Sequence, residues 1–248
     1  MKEKIAISLD KGLLRAVDSK VDGSVLRSRS QAIEFYLKKG LQEFGIDTAV
    51  ILMKGEHQKV GLKNYKGKSL VGQQLDFFFN NNIKNIILVT DPGNFSADYL
   101  NVFKDDRFNV KIVQQKASGN ADALQHAKEL LKNDFIVISG DTFNDFDLAK
   151  MVKKHMDIGK LGTIGLMTRG EISKYGIAVL DGDFIVDFSE KPKNSVSNIA
   201  NAGIYLFKPE VFELFDGVVS LEKDLFPKLA RIKQLVGFFT YGDYMHYG

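Results

Sequence analysis

The chain has 248 residues, of which 44% are hydrophobic and 26% charged, with no cysteine. That is ordinary globular composition, and it excludes disulfide frameworks, thiolate metal centres and, with no apolar run near the roughly 18–20 residues of a membrane helix, a transmembrane segment. The first 45 residues hold nine Lys/Arg against six Asp/Glu, so the entire formal excess of +3 sits there and points that end toward an anionic partner such as nucleic acid.

The opening MKEKIAISLDKG lacks the apolar core of a secretory signal, and with the missing cysteines it predicts a cytoplasmic protein. Within it KIAISLD alternates, with Ile5, Ile7 and Leu9 on one face and Lys4, Ala6 and Ser8 on the other, the period of a strand. Asp10 stands as an N-cap before KGLLRAVDSKV, where Leu13, Leu14, Val17 and Val21 follow helical spacing. After a break at DGS, RSRSQAIEFYLKKGLQEF opens a second helix with Ser28 or Ser30 as cap, burying Ile33, Tyr36, Leu37, Leu41 and Phe44. So short a segment buries too little surface to stand alone, and its strand has no partner of its own. Pairing two copies antiparallel about a two-fold axis solves both problems, and the resulting ribbon fits the major groove of DNA.

With KIAISLD followed by LRSRSQAI, residues 1–45 resemble the ribbon-helix-helix family of DNA-binding repressors. The resemblance implies an intertwined β-α-α homodimer in which Lys4, Ala6 and Ser8 face base edges of double-stranded DNA. Arg27, Ser28, Arg29 and Ser30 would set the second helix against a phosphate, as helix N-termini favour.

From Thr48 onward short apolar runs alternate with helical stretches: TAVILM, SLVGQQLDFFFNNN, IKNIILVTD, FSADYLNVFKDD, FNVKIVQQ, NADALQHAKELLK, DFIVISGD and DFDLAKMVKKHM. The alternation predicts a mostly parallel, Rossmann-like α/β sheet covered on both faces, with ligands at the carboxyl ends of its strands. After Gly170 the chain becomes strand-rich, with a hairpin through Asp181-Gly182-Asp183. Phe77-Phe78-Phe79 reads as core packing. The domain boundaries are 1–45 and 48–248, joined by a short link.

GNADAL, ISGD, KYGIAVLD, FSEKP, NAGIYLFKPEVF and SLEKDLFPKLA follow one another in an order that resembles the sugar-phosphate nucleotidyltransferases, or nucleotide-sugar pyrophosphorylases, across residues 48–248. In that family a glycine-rich loop after the first strand holds a triphosphate, and an arginine in it assists attack by a sugar phosphate. Two aspartates hold Mg²⁺, because in-line phosphoryl transfer is mostly positioning and charge neutralisation. The resemblance implies that Gly119 admits close backbone approach to base or sugar, that Asn120 stands for a usual threonine, and that Gln114 reads the base. It makes Asp141 the first metal aspartate, and Tyr175, Gly176, Glu190, Lys191 and Asn201 the sugar-side contacts, with Lys191 facing phosphate.

Two elements depart from the family pattern. The loop reads Met53-Lys54-Gly55-Glu56-His57-Gln58-Lys59-Val60, with one glycine where several belong and Lys59 where the arginine would stand. His246 occupies the place of the second metal aspartate, and a neutral imidazole is a poor Mg²⁺ ligand. Lys54, Gly55 and Lys59 remain as candidate phosphate contacts, alongside Lys63, Lys66 and Lys68. The expectation from these losses is that turnover has been abandoned while the pocket is kept, with no catalytic residue assigned. The chain is then a DNA-binding transcriptional regulator that senses a nucleotide, sugar phosphate or nucleotide-sugar, assembled as a homodimer or tetramer. The alternatives are an active nucleotidyltransferase with an N-terminal dimerisation or autoregulatory module, and a structural DNA-binding protein that binds nothing small.

Overall fold

TAVILM is apolar almost throughout because β1 (Thr48–Met53) lies inside a sheet and is covered on both sides: Ala49, Ile51 and Met53 enter one core, Val50 and Leu52 the other. β4 (Asn85–Thr90) and β6 (Phe135–Ser139) divide their side chains the same way, Ile86 and Leu88 against Ile87 and Val89, and Ile136 and Ile138 against Phe135 and Val137. Alternation of side-chain direction with apolar residues at both parities is the mark of a doubly covered strand. The computed structural model describes residues 6–21, 27–40, 46–54, 58–93, 97–239, 242 and 244–246. The chain forms two compact units, Met1–Gly45 and Ile46–Gly248.

The larger unit is built on a nine-stranded sheet. Besides β1, β4 and β6 it contains β5 (Asn109–Gln114), β8 (Gly162–Thr168), β9 (Gly176–Asp181), β10 (Phe184–Glu190), β11 (Ile199–Phe207) and β12 (Leu235–Phe239). The order is β5-β4-β1-β6-β11-β8-β12-β10-β9. Here the expectation of a mostly parallel sheet is corrected. β5, β4, β1 and β6 run parallel, as do β8 and β12, but β11 lies antiparallel to β6, β8 and β9, and β10 antiparallel to β12 and β9. A strand such as NAGIYLF, buried on both faces, carries no sequence mark of its direction. Two short ribbons complete the unit: β2 (Asn64–Tyr65) with β3 (Lys68–Ser69), and β7 (Thr142–Asn144) with β13 (Tyr244–His246).

Helices cover both faces. α4 (Leu70–Asn80) begins where the Ser69 hydroxyl accepts from Gly72 N–H, and α7 (Leu148–Ile158) where Asp147 accepts from Lys150 N–H; α7 ends at Gly159, whose φ of 70° suits glycine. With α5 (Ala97–Val102) they pack Leu75, Phe78, Tyr99 and Met151 on one face. α6 (Asn120–Gln125) and α8 (Phe226–Arg231) pack Leu124, Phe226 and Leu229 on the other. Each fully buried Leu or Phe contributes about 1.5–3 kcal/mol. Of the three consecutive phenylalanines, Phe77 and Phe78 are core, whereas Phe79 is 47% exposed and lies under the Arg107 guanidinium. A four-residue helix, α3 (Gln58–Gly61), follows β1.

In the smaller unit Asp10 caps α1 (Lys11–Asp18), accepting from Gly12 and Leu13 N–H. Ser28 caps α2 (Arg29–Gly40), its hydroxyl accepting from Gln31 N–H while Gln31 Oε1 reaches back to Arg27 N–H. Arg29 forks onto both oxygens of Asp18 at 2.6 and 2.7 Å and ties the two helices together. Residues 6–10 join no ladder within the chain, α1 buries no residue, and Ile7, Leu13 and Leu37 are exposed. Lys4 and the rest of 1–5, with Leu41 and Phe44, lie outside the described residues. The ribbon itself is therefore not shown. No described helix is long and apolar enough to cross a membrane.

Candidate active site

The parallel strands β1, β4 and β6 end together, and at a sheet's carboxyl edge the chain leaves side chains and loop backbone around a crevice. The crevice here is a cleft of about 360 Å³. Met53 and Lys54 enter it from the end of β1, Thr90 and Asp91 from β4, Ser139 and Asp141 from β6, Gly119 and Asn120 from the start of α6, and Lys191 from the end of β10.

Asp141 is its electrostatic centre. One carboxylate oxygen accepts from the Ser139 hydroxyl at 2.6 Å and the Thr142 hydroxyl at 3.0 Å. The other faces the His246 imidazole across 3.7 Å, brought there by pairing of His246 with Thr142 in the β7–β13 ribbon. Burial alone would raise its pKa, but His246 and the two hydroxyls outweigh that and hold the carboxyl well below the usual carboxylate range. Asp141 is thus an anion at any physiological pH.

The residues expected on the sugar side are braced within the fold, and of them Lys191 lines the cleft. Gly176 has no side chain because a Cβ there would lie 2.5 Å from the Phe188 ring and 2.8 Å from a Glu190 carboxylate oxygen. Burial, then the charge of Glu222, push the Glu190 carboxyl up. Lys191 has a φ of 48°, sparsely populated for a residue with a Cβ, and its N–H donates to Tyr175 O at 3.0 Å; its side chain lines the cleft. The side chain of Asn201 is spent internally, its amide donating to the Tyr205 hydroxyl at 2.8 Å and its oxygen accepting from Gly203 N–H, across an irregularity in the β11–β8 pairing.

Asn120 is likewise a brace. Its amide nitrogen donates to both oxygens of Glu222, at 3.0 and 2.8 Å, and its oxygen accepts from Leu221 N–H. Glu222 sits in a π-helical turn, Leu221–Leu225, and also accepts from the Tyr205 and Ser220 hydroxyls. The close approach that Gly119 makes is to Val219: a Cβ would fall 2.4 Å from its carbonyl oxygen. Gln114 ends β5 exposed, paired with Thr90, and its neighbour Gln115 lines the cleft instead. Lys59 is exposed on α3 and not part of the lining, while Lys68 is bound to Asp76. Gly55 and His57 lie outside the described residues. In the smaller unit Ala6, Ser8, Arg27, Ser28, Arg29 and Ser30 are exposed, with Arg29 engaged by Asp18.

Sequence reasoning passed over Ser139, Tyr205, Gln115 and Glu222. Glu222 lies within SLEKDLFPKLA, but its partner Asn120 is 102 positions away.

The mixed sheet, covered on both faces and with a cleft at its carboxyl edge, has a nucleotidyltransferase-like α/β fold. Residues 56–234 match the nucleotidyl transferase family, and the chain belongs to that family. It is 31% identical over 195 residues to the mannose-1-phosphate guanylyltransferase catalytic subunit beta of Drosophila pseudoobscura pseudoobscura, covering 75% of this chain and 53% of the relative. It is 36% identical over 154 residues to a mannose-1-phosphate guanyltransferase of Candida albicans, 58% of this chain and 42% of the relative. Among solved structures, UTP-bound UGPase from Acinetobacter baumannii superposes with a TM-score of 0.70 at 16% identity, covering 82% and 88% of the two chains. The chain spans about half the length of the curated relatives it matches.

These relatives overturn the reading of the chain as a DNA-binding transcriptional regulator with an abandoned active site. The premise of that reading is that the altered loop and metal positions mean lost turnover. Phosphoryl transfer, however, asks chiefly for placed charge, and an ionised Asp141, Lys54 and Lys191 all line the cleft. Nucleotidyltransferases of this family typically use a divalent metal and nucleotide substrates.

Proposed function

We propose that this chain is a sugar-1-phosphate nucleotidyltransferase. A phosphate oxygen of the sugar 1-phosphate attacks the α-phosphorus of a nucleoside triphosphate, the bond from that phosphorus to the bridging oxygen breaks, and pyrophosphate leaves. The observation that carries the reading is Asp141, kept ionised at the end of β6 within a cleft that Lys54 and Lys191 also line. The names of the relatives make GTP and mannose 1-phosphate the first substrates to try.

Lys54 and Lys191 are point charges suited to neutralising phosphate oxygens as they gather in the transition state. Glu190 has acceptor oxygens for sugar hydroxyls. A divalent metal fits at Asp141, since Mg²⁺ is commonly held by one or two carboxylates plus substrate phosphates; among the described residues no group of three or more His, Cys, Asp or Glu forms a complete cage. When bound, such an ion supplies Lewis-acid stabilisation of phosphate charge. Asn120, Glu222, Tyr205 and Asn201 act earlier, fixing the wall into which the substrates fit.

The decisive experiment follows pyrophosphate release from the four nucleoside triphosphates with a panel of sugar 1-phosphates, in Mg²⁺ and in Mn²⁺. Release that needs one sugar phosphate, and falls about 100-fold or more in Asp141→Asn, is expected. No release from any mixture would refute the proposal.

For the N-terminal unit we infer a ribbon-helix-helix-like β-α-α module that pairs with a second copy of this chain. Its support is the unpaired segment 6–10 and an α1 that buries nothing, with Ile7, Leu13 and Leu37 exposed.

A further inference from the structure

Arg169 follows β8 directly, and its environment differs from that of the paired arginines. Arg29 and Arg107 are each gripped by carboxylates, Asp18 in one case and Asp105 with Asp76 in the other. Arg169 has no carboxylate partner among the described residues. Its guanidinium lies over the ring of Tyr244 at 4.8 Å and near that of Tyr175 at 5.8 Å, and the two rings meet edge-on at 6.4 Å. Its Nε is fully buried without an acceptor. Arg169 as a whole is half-buried, but a buried donor left without an acceptor costs stability, and one held between aromatic rings is placed for a ligand to supply the acceptor.

There is room for that ligand. Arg169 opens on a cavity of about 490 Å³ whose walls include Phe146, Met167, Phe239 and Tyr244, with no carboxylate among its described lining residues. It lies at the carboxyl ends of the parallel pair β8 and β12, as the nucleotide cleft lies at the ends of β1, β4 and β6. Two elements join the chambers. The β7–β13 ribbon carries Tyr244 on the cavity side and His246 against Asp141, and Tyr175, whose ring meets that of Tyr244 edge-on, holds the backbone of Lys191. Burial, reinforced by Tyr175, pushes the Tyr244 phenol up, so the ring stays neutral beside the cation.

We propose that Arg169, Tyr175 and Tyr244 form an anion subsite that receives a second negatively charged group, a carboxylate or phosphate, on the sugar substrate. Guanidinium suits either group through its planar fork, and aromatic walls suit the apolar face of a pyranose ring. The subsite deepens the sugar-1-phosphate nucleotidyltransferase reading and rests on it.

The test compares mannose 1-phosphate with glucuronic acid 1-phosphate and glucose 1,6-bisphosphate, in wild type and in Arg169→Gln and Arg169→Lys. Calorimetric binding without nucleoside triphosphate is read separately from pyrophosphate release. Wild type should bind at least one doubly charged sugar about tenfold more tightly than mannose 1-phosphate. Arg169→Gln should abolish that preference with less than a twofold change for mannose 1-phosphate, and Arg169→Lys should keep part of it. Because its Nε has no acceptor and it has no carboxylate partner among the described residues, Arg169→Gln should lower the melting temperature by no more than about 4 °C, the loss of its contacts with the Tyr244 and Tyr175 rings, whereas an arginine ion-paired within the fold would cost more. Equal affinities in wild type, or equal losses for all three sugars in Arg169→Gln, would overturn the subsite. So would anion binding at Arg169 that leaves sugar affinity untouched, since that describes a separate effector site. Arg169-dependent binding with no pyrophosphate release from any mixture would instead defeat the catalytic reading alone.

Discussion

Gly119→Ala should destabilise the larger unit by about 3 kcal/mol. The Val219 carbonyl accepts from Ala121 N–H at 3.0 Å and Asp122 N–H at 3.3 Å, so it closes the start of α6. A methyl group on residue 119 would sit 2.4 Å from that oxygen and 2.8 Å from Val219 Cγ1. Ordinary C···O contacts begin near ~3.3 Å, so the carbonyl must retreat by about 0.9 Å. Neither contact atom belongs to the free end of a long side chain, so little can yield cheaply. Overpacking of this kind costs about 1–3 kcal/mol, and losing one of the N–H bonds adds about 1 kcal/mol. At roughly 2–4 °C per kcal/mol for a unit of this size, the melting temperature should fall by about 6–12 °C. The assay is thermal unfolding by circular dichroism, with Gly93→Ala as control, since a Cβ there meets nothing within 4 Å. A Gly119→Ala protein melting within about 2 °C of wild type would refute the packing argument, as would an equal loss in the control.

Glu190→Gln tests the charge balance between Glu190 and Glu222. Burial and then Glu222 raise the folded-state pKa of Glu190 above its unfolded value, so its stability contribution is complete below about pH 4.3 and is lost as pH rises through the folded value. The variant should match wild type near pH 4 and melt roughly 1–3 °C higher at pH 7.5, a modest gain because the group is partly solvated; a lower melting temperature at pH 7.5 would reverse the sign and the reasoning. For the N-terminal unit, Leu13→Asp places a charge on a half-exposed apolar position (54% exposed) and should convert the full chain from dimer to monomer in sedimentation equilibrium. A wild-type chain that is already monomeric at ~10 μM would remove the self-association proposal.

Local chemistry in this chain was readable wherever a short stretch decides the outcome. Asp10 caps α1, Ser28, one of two candidates, caps α2, and TAVILM is β1 to the residue. Direction was not readable. NAGIYLF reverses between β6 and β8 while LVGFF runs parallel to β8, and nothing in two buried apolar strings separates these cases. The same limit governs the site. Asp141, Lys191 and Gly119 reach one cleft because strand ends and the start of α6 converge there, which ordered motifs capture. Glu222 and Tyr205 matter through partners far away in sequence, and no spacing rule links position 120 to 222.

The error about function has a physical source of its own. Three surplus charges and an Arg-rich helix start were read as a nucleic-acid face, yet one of those arginines is committed to Asp18 in both of its forked bonds. Two altered catalytic positions were read as a dead site, although what a phosphoryl-transfer site needs is net charge in the right place rather than a particular residue at each position. His246 illustrates the difference. Measured against an expected aspartate it is a loss, but in the folded chain it faces Asp141 and helps hold that carboxylate ionised. A substitution that removes one ligand can thus strengthen the charge of the other, and only the folded arrangement shows which effect prevails.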